Sequence, residues 1–88
     1  MRRVAFLVVG RVQGVGYRRF AQRSAEAVGV AGFVRNATGG SVVGEAEGED
    51  DAVEAFLVAL RRGPALATVL SVETTSLEAT GAVGFAIR

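Results

Sequence analysis

The chain has 88 residues, 50% of them hydrophobic and 22% charged, a balance that describes one small globular domain over residues 1–88 rather than a disordered chain. At this length a two-layer core can form once, and a second domain has no room. Cysteine and histidine are both absent, which excludes disulfides, zinc-finger ligand sets, redox CxxC pairs, thiol nucleophiles and imidazole bases together.

The net charge of +1 conceals an asymmetry. Through Arg35 seven arginines face one acid, Glu26, while the remainder holds three arginines against eight acids. The basic first part suits an anionic partner. No apolar run approaches the ~20 residues of a membrane span, and the hydrophobic stretch within residues 1–10 is too short for a signal peptide. Cytoplasmic residence without membrane contact is expected.

Val4 to Val9 is an unbroken apolar run rich in β-branched residues, which predicts a central strand covered on both faces. The segment GRVQGVG, Gly10 to Gly16, interrupts regular structure, and Tyr17 to Val28 then carries Phe20, Ala21, Ser24, Ala25, Ala27 and Val28 along one helical side until Gly29 stops it. Val30–Asn36 and Ser41–Glu47 read as strands joined by Ala37-Thr38-Gly39-Gly40, whose paired glycines allow the positive φ of a tight hairpin.

Asp50 and Asp51 are candidate N-caps, Asp51 and Glu54 are spaced as a capping box, and Val53, Phe56, Leu57 and Leu60 form one apolar helical stripe. Arg61, Arg62, Gly63 and Pro64 mark the end of that second helix. Val69–Thr75 is predicted as a strand, Ser76–Val83 as a loop and Phe85-Ala86-Ile87 as a short closing strand. The order βαββαβ, with the short closing strand after it, predicts the ferredoxin-like α+β plan, an antiparallel sheet with two helices on one face.

One place breaks the local rules. Arg18 and Arg19 stand in the first turn of a helix, where the macrodipole and unpaired amides favour negative charge and each cation costs ~0.3–1 kcal/mol. Glycines at 10, 14 and 16 can turn backbone N–H groups inward beside that helix end, and an arginine fork can take two oxygens of one phosphate. Two readings stand at this point: an anion cradle, or a glycine connection with Arg18 as a solvated helix charge. The loop matches neither a Walker A motif nor a complete dinucleotide fingerprint.

GRVQGVGYRRF, followed by GFVRN and by Gly39-Gly40-Ser41-Val42, resembles the acylphosphatases. The likeness runs on through the Phe56-Leu57 helix, Gly63-Pro64 and Phe85-Ala86-Ile87-Arg88, in order and over essentially the whole chain. It implies a ferredoxin-like hydrolase that cleaves the carboxyl-phosphate bond of acyl phosphates to a carboxylate and inorganic phosphate, with no metal and no cofactor. Carried over by position, it puts the phosphate-binding arginine at Arg18 and the water-orienting asparagine at Asn36. The amide cradle would come from Arg11, Val12, Gln13, Gly14, Val15 and Gly16. Tyr17 stands where many members have phenylalanine, Phe33 where many have tryptophan, and Ala37 where some have a hydroxyl residue. Inorganic phosphate is expected to compete with substrate for the same cradle, and the chain is expected to be a monomer.

Other conspicuous residues have simpler explanations. Asn36 alone would suit a strand end or hairpin. Arg11, Arg19, Arg23 and Arg35 read as surface charges, and the five phenylalanines as core. Glu45, Glu47, Glu49, Asp50 and Asp51 lack calcium-loop spacing and read as a solvated strand edge with helix caps. RNA-recognition motifs share the βαββαβ order, but Gly32-Phe33-Val34 lacks the paired aromatics that stack bases, so no nucleic-acid partner is expected. A phosphate-binding module without turnover is the remaining rival.

Overall fold

In the computed structural model, which describes all 88 residues, the chain runs β1 (Arg2–Arg11), α1 (Tyr17–Val28), β2 (Ala31–Asn36), β3 (Val42–Gly48), α2 (Asp50–Arg62), β4 (Thr68–Leu77) and β5 (Phe85–Ile87). The strands form one sheet in the order β4-β1-β3-β2-β5. β1 is antiparallel to both β3 and β4, and β2 is antiparallel to β3. The sheet is not wholly antiparallel as expected, because β5 pairs parallel to β2. The physical reason is the route of the chain: after β4 it crosses to the opposite edge and enters beside β2 in the same direction. No helix is long and apolar enough to cross a membrane.

Alternation in β1 makes the core. Val4, Phe6 and Val8 are buried, while Ala5, Leu7 and Val9 are only partly covered. The expectation of a strand covered on both faces is therefore corrected, since the helical layer protects a single face. Phe56 of α2 meets the ring of Phe6 edge-on at 5.7 Å and that of Phe85 at 5.5 Å, drawing both helix and closing strand onto the sheet centre. From α1 the buried residues are Tyr17, Ala21 and Ala25, spaced four apart, whereas Ala27 and Val28 are exposed. Phe33 lies half-buried on the open sheet face under the Arg88 guanidinium rather than in the core.

Two boundaries move for pairing reasons. β4 continues through Leu77, where a loop was expected, because β1 begins early enough for Arg3 to pair with Leu77. Gly10 belongs to β1, at an irregularity in the β1–β4 register, and a Cβ there would lie 2.1 Å from the Thr68 carbonyl oxygen. It serves this strand contact and not the loop. α2 is capped at Glu49, without a side-chain hydrogen bond, so the Asp51–Glu54 capping box is not formed. Asp50 and Asp51 instead lie in the first turn, opposite Arg61 and Arg62 in the last, and complement the dipole.

The acidic run is not a solvated edge. β3 is the central strand, and Glu47 is buried on it. Its carboxylate accepts from the Thr80 N–H and the Gly81 N–H, each at 2.8 Å, and from Arg3 Nη1 at 2.8 Å. Arg3 Nε also donates to Glu45 at 2.9 Å. This pins the crossover between β4 and β5 across the open face of the sheet. The Thr80 N–H is the main cause that holds the Glu47 carboxyl down to about 2, against the opposing effect of burial and with help from Arg3 and Gly81. Burial opposes the charge of Arg3, but its hydrogen bonds to both glutamates prevail and raise its pKa.

A carboxyl whose pKa is depressed by folding contributes stability that is present above its unfolded value and lost as the pH falls through the folded one. The stability difference between the parent and Glu47→Gln should therefore be full at pH 6 and shrink between about pH 4.5 and 2. Urea denaturation at several pH values checks this. Parallel pH profiles for the two proteins would show that another group titrates.

Candidate active site

The site is built where β1 gives way to α1. Val12 is buried and Val15 packs against the core, so two apolar side chains hold down a loop that otherwise has no regular hydrogen bonding. Between and after them Gly14 and Gly16 adopt left-handed φ of 75° and 78°, which side chains rarely tolerate. Gly16 is also the N-cap of α1. It offers no side chain, no acid stands in the first turn, and no side chain caps the amides at that helix end.

Hydrogen bonds position this loop and the β2–β3 connection beside it. Gln13 Nε2 donates to the Ala37 carbonyl at 2.8 Å and to the Ser41 carbonyl at 2.9 Å, tying the loop to the β2–β3 connection. The Ala37 N–H donates to the Ser41 carbonyl at 2.9 Å and closes that connection immediately after Asn36. The Tyr17 hydroxyl donates to the Leu60 carbonyl at 2.7 Å, fixing the start of α1 against the end of α2, and burial pushes its pKa up. Asn36 is the last residue of β2 and is exposed, opposite Val42. β5 brings Ile87 alongside Val34 on the other flank.

These elements enclose a cleft of about 340 Å³ lined by Val12, Gly14, Gly16, Tyr17, Arg18, Arg19, Asn36 and Ile87. Of the residues singled out in the sequence, Val12, Gly14, Gly16, Arg18 and Asn36 come together there, although Arg18 and Asn36 lie 18 positions apart in the chain. Arg11, Gln13 and Val15 do not line it. Arg11 is exposed at the end of β1, Gln13 spends its amide on the hairpin, and Val15 faces the core. Arg19, Tyr17 and Ile87 are lining residues that sequence reasoning missed. For Arg19 the first-turn position was the available signal, whereas Ile87 reaches the cleft only through the β2–β5 pairing.

The electrostatics are one-sided. The ion pairs of the protein are Arg2–Glu54, Arg3–Glu45 and Arg3–Glu47, so neither Arg18 nor Arg19 has a carboxylate partner. No acid lines the cleft, and no three Asp or Glu side chains converge in a metal-holding cluster. A guanidinium group beside helix amides that no side chain caps can bind an oxyanion by charge and by directed hydrogen bonds.

The acylphosphatase family model matches residues 4–87. The chain belongs to the acylphosphatase family. It is 48% identical over 85 residues to an acylphosphatase of Thermus thermophilus, covering 97% of each chain. The crystal structure of an acylphosphatase from Bacillus subtilis superposes with a TM-score of 0.96 at 35% identity, covering 100% of this chain and 99% of that one. An acylphosphatase from Coxiella burnetii gives 0.94 at 30% identity, over 99% and 92%. The family's activity is the hydrolysis of acyl phosphates, and the chain is an acid-anhydride hydrolase of this family.

Because Gln13 is the side-chain link from the loop to the hairpin, Gln13→Ala should separate the two halves of the cleft. The expected outcome is a stability loss of ~1–3 kcal/mol, because the Ala37 carbonyl loses its donor while the Ser41 carbonyl keeps only the Ala37 N–H, together with weakened phosphate binding in the protein that remains folded. Denaturation and phosphate titration on one preparation check it. Unchanged phosphate affinity would mean that the loop holds its shape unaided.

Proposed function

We propose that the work of this hydrolase is done by three parts of one cleft: Arg18 and the loop amides at Val12, Gly14 and Gly16 hold the phosphoryl group, and Asn36 orients the attacking water. The observation that carries the reading is the meeting of Arg18 and Asn36, from α1 and β2, at one cleft without a carboxylate. The Asn36 carboxamide can accept one hydrogen bond from water and donate another elsewhere, but it takes no proton at neutral pH.

The water oxygen attacks phosphorus in line as the bond to the acyl oxygen breaks and its electrons leave on the carboxylate. That leaving group is stable as an anion near neutral pH, so no general acid is required. The water proton passes to a phosphoryl oxygen of the substrate, giving carboxylate and inorganic phosphate. Catalysis then consists of position and charge stabilisation by Arg18 and the amides. The reading includes turnover without a metal, competitive inhibition by inorganic phosphate, and a cytoplasmic monomer acting as one domain over residues 1–88. A binding module without turnover is excluded when an acyl phosphate is consumed catalytically in EDTA.

Arg18→Lys should lower kcat/KM by about a hundredfold and weaken inhibition by phosphate, because a point charge cannot reproduce the guanidinium fork. Arg23→Lys, exposed on α1 outside the cleft, is the control and should change neither. Equal effects in steady-state assays would remove Arg18 from phosphate binding.

Asn36→Ala should fold and bind phosphate like the parent, while turnover falls ~10²-fold or more through loss of water orientation. Phosphate inhibition and the phosphate-induced rise in melting temperature report binding, and kcat reports chemistry. A variant with intact phosphate binding and parental turnover would remove Asn36 from the mechanism.

A further inference from the structure

The phosphoryl group accounts for Arg18 and leaves Arg19 without a function. Both arginines line the same cleft, both lack a carboxylate partner, and no acid lines that cleft. They are not duplicates. Adjacent helical residues leave the axis about 100° apart, so the two side chains approach the cleft from different directions. They also differ in depth: Arg18 is half-buried, whereas Arg19 is exposed.

In-line displacement adds a direction. Asn36 enters from the sheet side, so a water held there attacks from that side and the acyl group departs away from it. The start of α1, a different element from the β2 end that carries Asn36, lines the cleft with Tyr17, Arg18 and Arg19, and the exposed one of these is Arg19. Its first turn contains no acid to balance this charge, in contrast to α2, where acids begin the helix and arginines end it. Resting on the function proposed above, we infer that Arg19 is a specificity-determining residue for the acyl end of the substrate. It selects acyl phosphates whose acyl group carries a second anion, such as a carboxylate, and gives no comparable advantage to neutral acyl groups.

Two substrates of equal size test this: 4-carboxybenzoyl phosphate and its neutral counterpart 4-carbamoylbenzoyl phosphate. The para position prevents the carboxylate from attacking its own acyl group. The ratio of their kcat/KM values is measured for the parent, Arg19→Gln, Arg19→Lys and Arg23→Gln. In Arg19→Gln the ratio should fall by about fivefold, the size of a good exposed ion pair, while the inhibition constant for inorganic phosphate stays within about twofold of the parent. Arg19→Lys should restore part of the ratio. Arg23→Gln removes the same charge from α1 outside the cleft and should leave the ratio unchanged.

An unchanged ratio in Arg19→Gln overturns the inference. So does an equal fall in Arg23→Gln, which would indicate net-charge attraction, or a loss of phosphate binding that affects both substrates alike, which would put Arg19 on the phosphoryl group. If the parent hydrolyses neither compound, the proposed function fails and takes the inference with it. Turnover of both with no selective effect defeats the inference alone.

Discussion

The geometry of the cleft depends on one side-chain amide. Gln13 sits in the loop after β1, yet both its hydrogen bonds go to carbonyls of the β2–β3 connection, at Ala37 and Ser41. Without it, the uncapped helix end and the strand end carrying Asn36 would be joined only through the core beneath them. The loop is short, and two of its residues are already committed inward as Val12 and Val15. Its remaining backbone is consequently held from below by apolar packing and from the side by Gln13, which is how a glycine-containing segment can present amides in a defined arrangement. Preorganisation of this kind avoids reordering donors during the reaction.

A second polar anchor stands on the open face of the sheet, formed by Glu47, Arg3 and the Thr80–Gly81 backbone. Its buried charges are tolerated because nearly every carboxylate lone pair has a donor, including two backbone N–H groups. The result is a crossover held against β1 and β3 before the chain reaches β5. From there the Arg88 N–H donates to the Val34 carbonyl, and Ile87 forms a wall of the cleft. A charged cluster on one part of the sheet thus helps determine a lining residue elsewhere.

The two helices use charge in opposite ways. α2 carries acids in its first turn and arginines in its last, the arrangement that favours an isolated helix. α1 carries neither, and its first turn holds Arg18 and Arg19. The local disadvantage is confined to the helix end that lines the cleft shared with Asn36. Acyl-phosphate chemistry suits such economy, because a carboxylate leaves unaided and the remaining demand is to hold charge and aim water. A chain with no histidine and no cysteine can meet that demand with arginine, asparagine and backbone amides.

Local sequence determined the element order, the two glycine punctuations, the paired positive-φ glycines at 39 and 40, and the stripe Val53, Phe56, Leu57 and Leu60 that α2 buries. Periodicity and backbone chemistry act over a few residues, so they are legible without a fold. The Arg18 and Asn36 motifs were legible too, because each lies in a compact signature segment. Tertiary structure alone decided that Glu47 is buried while Glu49 beside it is exposed, since that depends on where a crossover from Thr80 and Gly81 happens to land. It alone made β5 parallel, left Phe33 on the open face, and brought Arg19 and Ile87 to the cleft. Each of these outcomes joins residues distant in the chain, and no local preference of a residue specifies which distant surface will cover it.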